Sequence, residues 1–144
     1  MEHHILVPVD DSDRSREAFE YVLKEHADAT ITVLHVVDPA QYYATGGVDG
    51  ASFNTLEQLK ASFEARGEEL LDDMVALADT ETVSVETVLA FGPVAETVVS
   101  TATELDVDHI IMGSHGRSGA SRILLGSVAE NVTRRSPVSV TIVR

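Results

Sequence analysis

Two periodicities alternate along the chain. Apolar residues stand together in short blocks or at every second position, as in strands, and between the blocks they recur every three or four residues, as in amphipathic helices. His4 to Val9 (His-Ile-Leu-Val-Pro-Val) is one such block. A continuous apolar run suits a parallel strand covered on both faces, and Pro8 signals that the strand is ending. Asp10-Asp11-Ser12-Asp13 then offers turn and N-cap groups, and Ala18, Phe19, Val22, Leu23 and Ala27 follow as a helical stripe. Thr30 to Val37 is rich in β-branched residues and reads as a second strand.

The interval from Asp38 to Asn54 breaks this rhythm. Pro39, Gly46, Gly47 and Gly50, with Tyr42 and Tyr43, read as a long loop. From Thr55 a long helix is expected, with Leu56, Leu59, Phe63, Leu70, Met74 and Leu77 on one face. Gly67 interrupts that pattern and lowers its helix propensity by about 1 kcal/mol relative to alanine. Val83, Val85 and Leu89 alternate within a third strand from Thr82 to Ala90, and Phe91-Gly92-Pro93 makes a turn with Pro93 at the first helical position. Val94, Ala95, Val98, Val99, Ala102 and Leu105 continue as a helix, and Asp108 to Met112 as a fourth strand. A glycine-rich stretch, Gly113 to Ser127, leads into a last helix that stops before Ser136-Pro137, and Val138, Val140 and Ile142 alternate as a fifth strand.

Strand and helix alternating from end to end specify an open, mostly parallel α/β sheet with right-handed crossovers. No internal repeat or linker divides the chain, so residues 1–144 read as a single domain. Ligands of such sheets bind beyond the carboxyl ends of the strands, where strand order reverses. The Asp10 turn, the Val36-Val37-Asp38 segment and the Gly113 loop all fall at such ends.

Charge changes the picture more than size does. Ten basic residues against 24 acidic ones give a formal net charge of −14, and Lys24 and Lys60 are the only lysines. The acids are spread along the chain, which is the pattern of a solvated surface rather than an interaction tail. Such a field disfavours nucleic-acid backbones. It also repels ATP unless salt or a divalent cation screens it. Dispersed acid with scarce lysine points to a high-salt cytoplasm, with an ordinary acidic cytosolic protein as the alternative. With no cysteine there is neither a disulfide framework nor a thiolate metal site. No apolar run approaches the ~20 residues of a membrane span, and a strand pattern so close to Met1 leaves no room for a signal peptide.

The candidate chemistry lies in the glycine loop, Gly113-Ser114-His115-Gly116-Arg117-Ser118-Gly119 through to Gly126-Ser127. Glycines let a backbone come near a ligand, and a helix start offers N–H groups and a favourable dipole to an anion. The stretch matches neither the P-loop, which needs Gly-Lys-Ser/Thr, nor Gly-x-Gly-x-x-Gly. What remains is backbone N–H donation and the Ser127 hydroxyl, groups that hold phosphates without reacting with them. A glycine-rich turn used for packing is the alternative. Asp10 is placed to accept from ribose hydroxyls or to cap the first helix, which Asp11, Ser12 or Asp13 could equally do. Arg117 offers a planar fork to a phosphate or is a solvated surface residue, and His115 offers a hydrogen bond or a pH-sensitive contact. No histidines stand at metal-ligand spacing, and no catalytic residue is assigned.

At these residues the chain resembles the universal stress protein family, in its ATP-binding branch. The resemblance spans nearly the whole chain. It rests on Ile5-Leu6-Val7-Pro8-Val9-Asp10, on Leu34-His35-Val36-Val37-Asp38, and on Ile110-Ile111-Met112-Gly113-Ser114-His115-Gly116-Arg117. The family's nucleotide motif, Gly-x2-Gly-x9-Gly-Ser, is complete at Gly113, Gly116, Gly126 and Ser127. The resemblance implies a Rossmann-like, doubly wound sheet of five parallel strands in the order 3-2-1-4-5, with helices on both faces. It implies ATP held by Asp10 at the ribose and by the Val36 backbone at the adenine, with Met112 packed near the base. Gly113, Gly116, Gly126 and Ser127 surround the phosphates, and Pro8, Ser114, His115, Arg117 and Val128 complete the candidate set. Magnesium or manganese rides on the phosphates rather than in a protein cage. A homodimer through the last strand is also implied, since Val138-Ser139-Val140-Thr141-Ile142 is an apolar edge that pairing would protect. The Asp38–Asn54 segment varies in such proteins, so Tyr42 and Tyr43 inherit no role.

The function so implied is a cytoplasmic, nucleotide-dependent regulatory or stress-response module with an unidentified protein partner and at most slow ATP hydrolysis or autophosphorylation. Two alternatives stand beside it. One is a nucleotide-free dimeric scaffold of the same fold. The other is an ATP-using transferase, for which the loop offers only His115, Arg117 and nearby acids in place of a P-loop lysine.

Overall fold

The computed structural model describes residues 3–42, 55–114 and 125–144. Strands β1 (His4–Pro8), β2 (Thr30–Val37), β3 (Val85–Phe91), β4 (His109–Gly113) and β5 (Ser139–Val143) alternate with helices α1 (Asp13–Glu25), α2 (Leu56–Thr80), α3 (Val94–Glu104) and α4 (Ser127–Arg135). The strands form one sheet in the order β3-β2-β1-β4-β5 with every pairing parallel. This is the expected doubly wound α/β order.

Residue parity sorts the core into two layers. Ile5, Val7, Ile31, Val33 and Ile111 face α1 and α2, where they pack with Phe19, Val22, Leu71 and Met74. Leu6, Leu34, Val36, Ile110 and Met112 face α3 and α4 and pack with Val98, Ala102, Ala129 and Val132. The mainly apolar make-up of β1, β2 and β4, broken within β2 by Thr32 and His35, follows from burial on both faces.

Strand order reverses between β1 and β4. Their register holds at Ile5↔His109 and Leu6↔Ile110 only, whereas β1 stays paired with β2 out to Pro8↔Leu34. The sheet therefore opens at the carboxyl ends of β1 and β4, the position where open α/β sheets take ligands.

Several local expectations are corrected. The third strand begins at Val85 rather than Thr82: Thr82 takes φ 55°, so the chain is still turning out of α2 there. Pro93 is the N-cap of α3 rather than its first residue, and Leu105 is the C-cap. Gly67 does not interrupt α2, which runs unbroken through it. That glycine is kept by crowding instead: a Cβ there would stand 2.8 Å from both His35 Cδ2 and Leu89 Cδ1. The Asp38–Asn54 loop begins with a helical turn, in which the Gln41 N–H donates to Asp38 C=O and the Tyr42 N–H to Pro39 C=O, each at 3.0 Å. Tyr42 is buried there with Val37, Leu59 and Phe63, so it has a packing role. Residues 43–54, Tyr43 among them, lie outside the described residues.

Candidate functional site

A cleft of about 300 Å³ lies over the parting of β1 and β4. Of the residues expected to bind nucleotide, Pro8, Asp10, Val36, Met112, Gly113, Ser114, Gly126, Ser127 and Val128 all line it. His115, Gly116 and Arg117 lie outside the described residues.

Asp10 follows β1 directly, and its carboxylate is held in a fixed pose. Oδ1 accepts from the Ser12 N–H and from the Ser15 hydroxyl, both at 2.9 Å. The Asp10 N–H donates back to Ser15 Oγ at 2.9 Å. Helix α1 is capped instead by Ser12, whose hydroxyl accepts from the Ser15 N–H at 3.2 Å. Asp10 is thus released from the capping role. Its Oδ2 makes no hydrogen bond among the described residues, while the residue lines the cleft.

Val36 contributes backbone. The Val9 N–H donates to Leu34 C=O at 2.8 Å, so Leu34 directs its polar groups toward β1. Successive residues of a strand alternate between its two edges, which turns the N–H and C=O of Val36 the same way. There β1 has already ended at Pro8 and the chain has turned. The side chains of Val36 and Met112 share the α3/α4 face with Val98. Together they form an apolar wall beside a hydrogen-bonding edge, the combination a purine base needs.

The third component is the start of α4. Its N-cap is Gly126, which has no side chain and makes no side-chain cap bond. The first N–H groups of the helix, from Ser127 onward, are therefore available to an anion, aided by the helix dipole. The Gly126 N–H donates to Ser114 C=O at 2.7 Å, and the Ser114 N–H donates to Val143 C=O at 3.1 Å. Those bonds tie α4 to the ends of β4 and β5.

Sequence reasoning missed part of the lining. Ser15, five residues past Asp10 on the inward face of α1, carried no signal that set it apart from other polar residues of a first helical turn. Val94 and Val98 of α3 stand out in the sequence only as members of a helical pattern, and both line the cleft. Phe63 and Arg66 of α2 bring a guanidinium 4.6 Å from the centre of a phenyl ring, and both line the cleft. His35 also lines it, with Nδ1 2.8 Å from Val9 C=O. A carbonyl oxygen can only accept, so Nδ1 carries a proton and donates it to Val9 C=O.

Among the described residues no group of histidine and carboxylate side chains is arranged to hold a metal ion, and no helix is long and apolar enough to cross a membrane.

The comparisons with known proteins agree with this fold. Universal stress protein MJ0531 of Methanocaldococcus jannaschii is 31% identical over 142 residues, covering 97% of this chain and 81% of the relative. The solved structure of protein MJ0577 superposes with a TM-score of 0.83 at 28% identity, covering 99% of this chain and 96% of that one. More distantly, the universal stress protein of Archaeoglobus fulgidus in complex with dAMP shares the fold at a TM-score of 0.71 and 21% identity, over 100% of this chain and 98% of that one. The family model for universal stress proteins matches residues 1–144. The chain belongs to the universal stress protein family.

Proposed function

We propose that this protein binds an adenine nucleotide, ATP with magnesium or manganese on its phosphates, in the cleft beyond β1 and β4. We further propose that it acts as a nucleotide-dependent regulatory or stress-response module, a cytoplasmic homodimer with at most slow hydrolysis. One observation carries the reading. A carboxylate with an open oxygen (Asp10), an open strand edge beside apolar side chains (Val36, Met112) and a helix start without a side-chain cap (α4) all converge on one cleft. These match the ribose, base and phosphates of a nucleotide in turn. A scaffold that used its glycine loop only for packing would have no need of all three. The dAMP complex of the Archaeoglobus fulgidus protein shows an adenine nucleotide accommodated on this fold in that protein.

Filling the base wall tests the reading. Val94→Trp places an indole at the mouth of α3, on a side chain that is only half buried. Titration with a fluorescent ATP analogue should show saturable, ATP-competed binding by the wild type and none by the folded variant. Equal binding by both would place the nucleotide elsewhere and end the proposal.

A further inference from the structure

We propose that Ser15 is a positioning residue for the sugar subsite, setting through Asp10 how strongly the protein distinguishes ribose from deoxyribose. The inference deepens the nucleotide reading and rests on it. Ser15 is only 6% exposed, yet it is a polar residue on the inward face of α1, and it lines the cleft. Its hydroxyl has one hydrogen, and that hydrogen goes to Asp10 Oδ1 at 2.9 Å. Its oxygen accepts the Asp10 N–H at 2.9 Å. Both ends of the Asp10 residue are thereby tied to one side chain, and χ1 of Asp10 cannot turn without breaking the ring.

The ring also divides the labour of the two carboxylate oxygens. Oδ1 is occupied by two donors, Ser15 Oγ–H and Ser12 N–H. Oδ2 is left to accept from a ligand. A ribose presents a rigid vicinal pair of hydroxyl donors, and a fixed carboxylate recognises it better than a rotating one, because the ordering has been done before binding. Ser12 cannot replace Ser15 in this. Its N–H reaches Oδ1, but its hydroxyl is turned to the Ser15 N–H as the cap of α1. Removing the Ser15 hydroxyl leaves Asp10 with one tether and frees the carboxylate to swing.

The test is a cycle of four proteins, wild type, Ser15→Ala, Asp10→Ala and the double variant. Each is titrated by calorimetry with ATP, 2′-deoxy-ATP and 3′-deoxy-ATP in molar potassium chloride with magnesium. A hydrogen bond to a charged group is worth about tenfold or more in affinity, so wild type should prefer ATP over at least one deoxy analogue by about tenfold. Ser15→Ala should erase most of that preference while still binding 2′-deoxy-ATP within about threefold of wild type, because base and phosphate contacts stay. In the Asp10→Ala background the serine change should have no further effect on the ratio. Ser15→Thr, which restores the hydroxyl, should restore the preference, and it covers the case in which the alanine variant does not fold. A wild-type preference retained in Ser15→Ala, or lost additively in the double variant, overturns the role of Ser15 alone. Absence of ATP binding by wild type overturns the nucleotide reading and this inference with it.

Discussion

Gly113, at the end of β4, lies against the first turn of α1 so closely that a Cβ on it would stand 2.8 Å from the carbonyl oxygen of Arg14 and 2.9 Å from its carbonyl carbon. The first glycine of the nucleotide motif therefore has a structural duty apart from any phosphate. It lets the chain leave the sheet directly beneath the Asp10–Ser15 network. Backbone atoms on a helix cannot move aside as a side-chain tip can. Gly113→Ala should cost about 1–3 kcal/mol of stability, read by urea unfolding of the ligand-free protein. A loss of ATP affinity with unchanged stability would assign this glycine to the ligand alone.

Gly67 makes the opposite case to its propensity. Alanine there should gain about 1 kcal/mol as a helix former. The added methyl, however, meets His35, whose ring is fixed by the hydrogen bond from Nδ1 to Val9 C=O. Leu89 can yield, whereas the imidazole cannot do so without giving up that bond. We expect Gly67→Ala to be net destabilising by about 1 kcal/mol, measured by thermal or urea unfolding. A more stable variant would show that His35 is free to shift.

The proposed dimer makes a prediction at one backbone N–H. The Ser114 N–H donates to Val143 C=O, so Val143 faces β4, and by alternation Val140 and Ile142 turn their polar groups to the open edge. Proline is tolerated in a strand where the missing N–H would face solvent. Val140→Pro should leave the sheet intact by circular dichroism and convert a dimer to a monomer in sedimentation velocity. A wild-type monomer, or a dimer that survives the proline, would reject pairing through β5.

His109 should give the fold a pH dependence. Burial, then the neighbouring His26 and His3, hold its pKa below the usual 6.5. Its Nε2 lies 2.7 Å from Thr141 Oγ1 across the β4–β5 pair, and the His26 ring sits 6.3 Å away, edge-on. The unfolded chain takes up the proton first as pH falls. Stability is therefore complete above the unfolded pKa and is lost as pH drops from about 6.5 toward the lower folded value. Melting temperatures across that window should fall in wild type and fall less in His109→Gln. Parallel curves would remove His109 as the cause.

Most of the fold was legible because β1, β2 and β4 are buried on both faces, which leaves three short, predominantly apolar blocks between the helical stripes. The start of β3 was not legible, since Val83 keeps the alternation while the backbone at Thr82 is still in a left-handed turn. The purpose of Gly67 was hidden for a related reason. Its partners, His35 and Leu89, are distant in sequence, and propensity describes only neighbours. Within the site, Asp10 and the α4 start announced themselves by residue type. Val36 did not, because it contributes backbone, and only the family resemblance pointed to it. Ser15 resembled one more polar residue in a first helical turn until its two bonds to Asp10 were seen.

The acidity sets the conditions for any binding experiment. With 24 acidic residues against 10 basic, self-repulsion is screened at 1 M salt, where the Debye length is about 3 Å. We expect the melting temperature to rise with potassium chloride into the molar range. A flat or falling curve would reject salt adaptation.

Under those conditions, the decisive measurement is the calorimetric titration of nucleotide-stripped protein with magnesium ATP, wild type beside Asp10→Ala. The account predicts saturable wild-type binding at one site per chain, weakened about tenfold or more by loss of the carboxylate, with both proteins folded. No heat of binding in the wild type, or identical isotherms for the two proteins, would contradict it.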